Sequence, residues 1–265
     1  MTSAADANLP PLHVQNPLGR FSDRAADYAK YRPTYPPDAI EQILQGLEPP
    51  NLQAADIGAG TGISARLLAE RGIGVWAIEP NEAMRSSAAP HPQVTWIAGT
   101  AEQTNLADNF VEIVLCAQSF HWFDKQAALI EFHRILKPNG RVALMWNDRN
   151  LDDPFTQEYS EVIGKVADRQ IFERGDRKSP DRLAESPLFT NFQHHEFVHA
   201  YSLDQDSLIG LVLSASYIPK AGAAAEQLII NLQELYNRWV NRSTGFVSLS
   251  YRTSLYIAEP VKQRL

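Results

Sequence analysis

Residues 56 to 62 read Asp-Ile-Gly-Ala-Gly-Thr-Gly, and they lie between an apolar segment, Gln53 to Ile57, and a helical pattern that ends at Gly72. The apolar segment predicts a strand, so the glycines occupy a strand-to-helix turn. Glycines there let the backbone bend tightly and approach a ligand closely, and the start of the helix offers free N–H groups. A tight turn without a ligand has the same pattern, so this motif alone does not establish a binding site.

The next carboxylate along the chain makes the motif more specific. Gly74 to Glu79 predicts a second strand, and Glu79 ends it roughly 20 residues after Gly58, where Rossmann-type folds place an acid on ribose hydroxyls. The dinucleotide fingerprint needs glycine or alanine three residues after Gly60, but this chain has Ile63 there. The spacing therefore favours an adenosine ligand without a pyrophosphate, and Asp56 is a candidate partner for the ammonium of an amino-acid tail.

The remainder of the chain alternates short apolar runs with amphipathic stretches, which predicts an α/β fold with a parallel sheet. One helix is predicted over Lys125 to Leu136, and the Lys-Pro-Asn-Gly sequence at 137 to 140 predicts the turn that ends it. Helices are also expected over Asp204 to Tyr217 and Ala221 to Val240. Further strands are predicted at Val94 to Ala98, Val111 to Ala117, Arg141 to Trp146, Phe192 to Tyr201 and Phe246 to Ile257.

Composition limits the classes of function. The chain has 265 residues and a formal net charge of -7, and its lysines and arginines are scattered, so nucleic acid is not expected as a substrate. The only cysteine is Cys116, which excludes an intrachain disulfide and suggests a reducing compartment. No apolar run approaches the roughly 18 residues that span a bilayer. We expect a cytoplasmic protein, a monomer or homodimer, that acts on a small molecule without binding membranes.

Four motifs together resemble the class I S-adenosylmethionine-dependent methyltransferases. They are Asp56 to Gly62, Glu79 to Met84, Gly99 to Glu102 and Leu136 to Gly140. Two further stretches, Phe21 to Pro36 and Ser119 to Asp124, resemble the branch of trans-aconitate methyltransferase. The resemblance implies a Rossmann-like three-layer sandwich with a mostly parallel seven-stranded sheet, an antiparallel last strand and a helical cap. We expect a flexible leader at 1–20, then a single domain at 21–265 with helical insertions at about 151–190 and 204–241.

The same resemblance implies S-adenosylmethionine as the cofactor and assigns residues to it. The glycines would flank its methionine part, Glu79 would bind the ribose, and Met84 would pack on the adenine, with Ala101 and Glu102 at the adenine edge. Gln118 would lie beside the amino-acid tail. Arg32 is a candidate clamp for a carboxylate of the cofactor or the acceptor, or else a solvated helix-end residue. The predicted cofactor-binding set is Asp56, Gly58, Gly60, Gly62, Glu79, Met84, Ala101, Glu102, Gln118 and Arg32.

His121 and Trp122 are the candidate catalytic residues. Trp122 suits a wall that excludes water and offers an aromatic face to a positive sulfur. His121 would be either a general base for a hydroxyl or amine acceptor, or a donor to a carboxylate that needs no base. The alternative is that both residues are half-buried packing residues at a strand end. We expect the acceptor to lie between this pair, the Phe21 to Pro36 segment and the Asp204 to Tyr217 helix, and an organic acid is the first candidate.

A His-Glu-x-x-His pattern occurs at His195 to His199, but metal is not expected there. In zinc proteases the pattern works because a helix places both histidines on one face. Here the neighbouring aromatic and β-branched residues predict a strand, where residues four apart are separated by about 13 Å, too far to share one zinc ion. Asn139 stands where the resembling family more often has glycine, and asparagine tolerates positive φ.

Two alternatives to catalysis by methyl transfer remain at this point. A nicotinamide-dependent oxidoreductase would require that Ile63 be tolerated in the glycine-rich turn. A protein that binds S-adenosylmethionine without catalysis would share every cofactor motif and differ only in its acceptor cavity.

Overall fold

The computed structural model describes residues 25–48, 51–167, 180–219 and 221–262. The strands are β1 (Gln53–Ile57), β2 (Gly74–Ile78), β3 (Val94–Ile97), β4 (Val111–Ala117), β5 (Leu136–Arg149), β6 (Phe189–Leu203) and β7 (Val247–Pro260). The helices are α1 (Ala25–Tyr31), α2 (Pro37–Leu44), α3 (Ile63–Ala69), α4 (Glu82–Ser86), α5 (Lys125–Ile135), α6 (Pro154–Gly164), α7 (Asp181–Ala184), α8 (Gln205–Leu213) and α9 (Ala223–Trp239). The expected leader at 1–20 and part of the 151–190 insertion lie outside the described residues.

The strands form one seven-stranded sheet in the order β3-β2-β1-β4-β5-β7-β6. The pairs from β3 to β5 are parallel, while β7 runs antiparallel to both β5 and β6. This confirms the Rossmann-like fold with a mostly parallel sheet and an antiparallel last strand. Because the chain passes from β1 to β2 on one side and then returns to β4 on the other, the carboxyl ends of β1 and β4 flank a topological switch point.

Both faces of the central strands of the sheet are covered, as the apolar run of β4 predicts. Ile113 and Leu115 point into the core that contains α2 and α3, while Val114 and Cys116 point into the core that contains α5. Alternate residues of a strand face opposite sides, so such a strand must be apolar throughout when helices cover both. A third core joins α6, α8 and α9 to one end of β7 and forms the helical cap.

The predicted turn at 137–140 is wrong. Helix α5 ends at Ile135, and β5 begins at once at Leu136 and pairs with β4 through a register shift between Val111 and Ile113. A Cβ at Gly140 would lie 2.7 Å from the backbone oxygen of Glu112, so glycine here permits close approach of the two strands. Asn139 is not among the described non-glycine residues with positive φ, so the expected left-handed turn does not form.

The strand predicted around His195 and His199 is confirmed, because both residues lie in β6, paired with Leu255 and Tyr251 of β7. They therefore lie in extended backbone, where two histidines four residues apart are too distant to bind one metal ion, as they can on a helix. In the parts of the chain that the structure describes, no helix combines the length and apolar character needed to cross a membrane.

Candidate active site

A cavity of about 400 Å³ opens at the carboxyl ends of β1, β2 and β4. This volume lies within the range of pockets that hold small organic molecules. The turns that follow the three strands form its wall, as expected for an open α/β sheet near its switch point. Eight residues predicted as site residues line it: Gly58, Gly60, Glu79, Met84, Ala101, Glu102, Gln118 and Trp122.

Glu79 connects two edges of this cavity. Its Oε2 accepts a hydrogen bond from the Gly60 N–H at 2.9 Å, and its Oε1 accepts one from the Asn81 N–H at 2.9 Å. Burial raises the pKa of this carboxyl, whereas the two N–H donors stabilise its ionised form. The carboxylate therefore holds the glycine turn against the start of α4, where Asn81 caps the helix by accepting the Met84 N–H at 3.2 Å.

The turn after β1 needs glycine for its shape and for its surroundings. Gly58 has a φ of 66°, and a Cβ there would lie 2.7 Å from the Ser119 Cβ and 3.0 Å from the Phe123 Cζ. Ser119 Oγ also donates to the Ile57 carbonyl at 2.6 Å. The turn after β4 is thus pressed against the turn after β1, and only a residue without a side chain fits between them.

Asp56 lies beneath the turn and is not among the residues that line the cavity. It is fully buried, and its Oδ2 accepts a 2.7 Å hydrogen bond from the Ser64 hydroxyl, while Oδ1 is buried without a hydrogen-bond partner in the described part of the chain. Burial raises the pKa of this carboxyl to about 7, against the stabilising hydrogen bonds from Ser64 and Ala65. Its visible role is to hold the start of α3, and the predicted contact with a cofactor ammonium stays a prediction.

Gln118, directly after β4, is held in a strained conformation. Its φ is 58°, a region that non-glycine residues rarely adopt. Its backbone N–H donates to the Met145 carbonyl at 2.8 Å, and its side-chain amide donates to the Asn147 carbonyl at 2.8 Å. Such strain persists only where the surroundings impose it, and it is concentrated at functional sites. The conformation fixes this residue at the cavity wall beside the end of β5.

The structure separates His121 from Trp122. Trp122 lines the cavity together with the predicted cofactor residues. We expected it at the acceptor site only, whereas here it also borders the predicted cofactor site. His121 is 5% exposed, is not among the lining residues, and its Nδ1 accepts a hydrogen bond from the Trp146 indole at 3.4 Å. A ring that accepts at Nδ1 carries its proton at Nε2, which favours the packing interpretation over the general base.

Gly62 and Arg32 also lie away from the cavity wall. Gly62 precedes α3 with a φ of 76°, and a Cβ there would meet the Trp96 ring at 3.0 Å. Arg32, one residue past α1, places its guanidinium carbon 4.7 Å from the centre of the Tyr28 ring, and its Nη2 donates to the Ser214 carbonyl at 3.4 Å. Neither residue lines the cavity, but Tyr28, on which Arg32 packs, does.

The sequence interpretation missed several wall residues. Tyr28 and Tyr35 reach the cavity from the amino-terminal segment, and Phe123 and Asp124 reach it from the turn after Trp122. All four belong to the motifs that carry the family resemblance, so the sequence did mark the segments in which they lie. Single residue types in a motif do not reveal which side chain points inward.

Two of the three segments expected to surround the acceptor do meet. The Tyr31 ring at the end of α1 packs on Gly210 of α8, where a Cβ would lie 2.5 Å from the ring. Together with the contact between Arg32 and Ser214, this holds the amino-terminal helix against the cap.

In the described ranges no group of three or more histidine, cysteine, aspartate or glutamate side chains is arranged to hold a metal ion.

Comparison with known proteins agrees with this geometry. Residues 55–144 match the family model of a methyltransferase domain. An uncharacterized methyltransferase of Mycobacterium tuberculosis is 36% identical over 198 residues, which cover 74% of this chain and 76% of that protein. An uncharacterized methyltransferase of Schizosaccharomyces pombe is 34% identical over 152 residues, 56% of this chain and 61% of that protein.

Solved structures show the same fold. A protein of Anaeromyxobacter dehalogenans assigned as a type II methyltransferase superposes with a TM-score of 0.65 at 21% identity, covering 88% of this chain and 100% of that one. A phosphoethanolamine N-methyltransferase of Haemonchus contortus, solved with S-adenosylhomocysteine, superposes with a TM-score of 0.52 at 15% identity, covering 91% and 58%. The chain belongs to the class I S-adenosylmethionine-dependent methyltransferases. Its cofactor is S-adenosylmethionine, which removes the nicotinamide alternative.

Proposed function

We propose that this methyltransferase methylates a small organic acid on a carboxylate oxygen, using the 400 Å³ cavity for its cofactor and for the reacting end of the acceptor. The observation that carries the cofactor assignment is the Glu79 carboxylate. It lies in the cavity wall, fixed by two backbone N–H groups, at the position where Rossmann-like folds place an acid on ribose hydroxyls. The glycine turn supports it, because the cradle between Gly58 and Ser119 has no room for a side chain.

Each part of the wall then has a function. Glu79 would accept hydrogen bonds from the ribose, Met84 would pack on the adenine, and Ala101 and Glu102 would border it. Glu102 is held in place because its Oε1 accepts the Asp124 N–H at 2.9 Å. The Gly58, Gly60 and Gly62 turn and Gln118 would enclose the amino-acid end, with Asp56 holding the turn from below. Bound there, S-adenosylmethionine would supply an electrophilic methyl group, whose bond to the positively charged sulfur breaks as the acceptor oxygen bonds to the methyl carbon.

The residues of the cavity wall favour an acceptor that arrives already ionised. Among the described lining residues there is no histidine, lysine or cysteine that would remove a proton near neutral pH. A carboxylate needs no base, because it is ionised well below neutrality. The residues' task is then to orient the oxygen and to exclude water, for which Trp122, Tyr28 and Tyr35 provide aromatic surfaces.

The test is transfer of a labelled methyl group from the cofactor to a panel of organic acids, phenols and amines. We expect label in one or more organic acids, as base-labile esters, with a rate nearly flat from about pH 6 to 8. Transfer only to phenols or amines, with a rate that rises with pH, would contradict the carboxylate acceptor and would leave the methyltransferase assignment intact.

A further inference from the structure

Two arginines lie beneath the cap and have no place in the function proposed so far. Arg149 is the last residue of β5, and its guanidinium carbon lies 5.8 Å from the centre of the Tyr159 ring of α6. Arg32 donates through Nη2 to the Ser214 carbonyl, but its Nε is buried and has no hydrogen-bond partner among the described residues. A buried guanidinium N–H without an acceptor is costly, so it points to a missing acceptor.

The same two guanidinium groups act on the same pair of tyrosines. Tyr159 and Tyr251 are 2% and 7% exposed, and Tyr251 pairs directly with Arg149 across β5 and β7. Burial raises the pKa of both hydroxyls, while the positive charges of Arg149 and Arg32 act in the opposite direction on each. Both hydroxyls are therefore protonated, and they place neutral hydrogen-bond donors beside two cations.

This cluster adjoins the cofactor cavity. Arg149 follows Asn147 by two residues, about 7 Å along the strand, and the Asn147 carbonyl accepts the Gln118 side-chain amide at 2.8 Å. Arg32 stacks on Tyr28 at 4.7 Å, and both Gln118 and Tyr28 line the cavity. The arginines are thus linked to the wall of the cavity through Tyr28 and through the backbone of β5 next to Gln118.

We propose that Arg32 and Arg149 bind a second anionic group of the acceptor, a carboxylate or a phosphate, remote from the atom that is methylated. This rests on the proposed function and narrows its substrate class to acceptors that carry at least two ionised groups. The N–H groups of a guanidinium fit the geometry of the oxygens of a carboxylate or a phosphate. The Tyr159 and Tyr251 hydroxyls add further hydrogen-bond donors for an anion. Fixing the distal anion orients the nearer oxygen for in-line attack.

The experiment uses the protein saturated with S-adenosylhomocysteine and titrates two probes, malonate and inorganic phosphate, by calorimetry and by thermal shift. We expect millimolar or tighter binding of at least one probe, weakened about tenfold or more by Arg149→Met and by Arg32→Met. Arg149→Lys keeps the charge and should retain part of the affinity. Binding of malonate alone identifies a carboxylate site, and binding of phosphate alone identifies a phosphate site.

Arg252→Met is the matched control, because Arg252 lies on β7 but pairs with Asp152 at 3.0 Å in a solvent-accessible ion pair. It should bind the probes as the wild type does. Cofactor affinity reports whether an arginine variant is still folded. If one is not, Tyr251→Phe is the second variant, because it removes only a hydroxyl, and it should also weaken probe binding. Absence of probe binding to the cofactor-loaded wild type, or unchanged binding by the arginine variants, overturns the anion site. Failure of the proposed function would give a different result from failure of the anion site: the probes would still bind, but organic acids would accept no label.

Discussion

The side-chain oxygen Oε2 of Glu79 lies 2.9 Å from the backbone nitrogen of Gly60 and accepts its hydrogen bond. One carboxylate from the end of β2 therefore fixes the glycine turn after β1, and the same side chain also receives the Asn81 N–H. The shape of the cavity and the proposed contact with the ribose depend on this one group. Variants of Glu79 must accordingly be judged by both stability and cofactor affinity.

Gly58→Ala should abolish cofactor binding and lower the free energy of unfolding by about 2 kcal/mol or more, because it adds a clash to backbone strain. A Cβ at Gly58 would lie 2.7 Å from Ser119. Gly46 is the matched control, since its φ of 75° is similar but nothing lies within 4 Å of a Cβ there. Gly46→Ala should lose only about 1–2 kcal/mol and keep its cofactor affinity. Equal effects of both substitutions in urea unfolding and titration would contradict the close contact at Gly58.

Asp56→Asn should flatten the pH dependence of stability between about pH 4 and 7. Burial raises the pKa of Asp56 from its ordinary value of 3.8 to about 7. Within this window the folded protein retains a proton that the unfolded chain has released, so this residue's contribution to the free energy of unfolding falls as pH rises, by at most about 1.4 kcal/mol per pH unit.

The measurement is urea unfolding of the cofactor-free protein at several pH values, with exposed Asp38 as the control. Asp38→Asn should follow the wild-type slope through the window. If Asp56→Asn also follows that slope, Asp56 is ionised in the folded protein throughout and the effect of its burial is offset.

Trp122→Ala should lower turnover by about tenfold or more with an identified acceptor and should also weaken cofactor binding, because the indole forms part of the cavity wall. His121→Asn should instead cost about 1–3 kcal/mol of stability, since a buried ring that accepts from Trp146 is lost. The shape of the pH–rate profile should not change in His121→Asn. Loss of a rising limb in that variant would assign proton transfer to His121, contrary to its placement here.

The order of elements could be predicted from the sequence because short apolar runs mark the strands of the parallel half. Val111–Ala117 is the clearest case, since its alternate residues enter two different cores. The junction between α5 and β5 could not be predicted in the same way. Pro138, Asn139 and Gly140 normally indicate a turn, whereas here the close approach of Gly140 to Glu112 continues the strand through a register shift.

For the candidate site, position along the chain located the segments but not the direction of each side chain. Glu79 lies in the cavity wall, and in the sequence both a strand end and the spacing from Gly58 mark it. His121 and Trp122 are adjacent in sequence, yet one points to Trp146 in the core and the other to the cavity. That difference arises from a short 3₁₀ turn over Phe120–Trp122, in which successive side chains point about 120° apart.

The most direct test of the cofactor site is calorimetric titration of S-adenosylmethionine into the wild type, Glu79→Gln and Glu82→Gln. Glu82 is an exposed carboxylate three residues further along and serves as the control. We expect one-to-one binding by the wild type and by Glu82→Gln, with no binding of NAD. Glu79→Gln should lose about 1.5–3 kcal/mol of binding free energy, because a neutral amide replaces a charged hydrogen-bond acceptor. Unchanged affinity in a folded Glu79→Gln variant would contradict the assignment of this cavity to the cofactor.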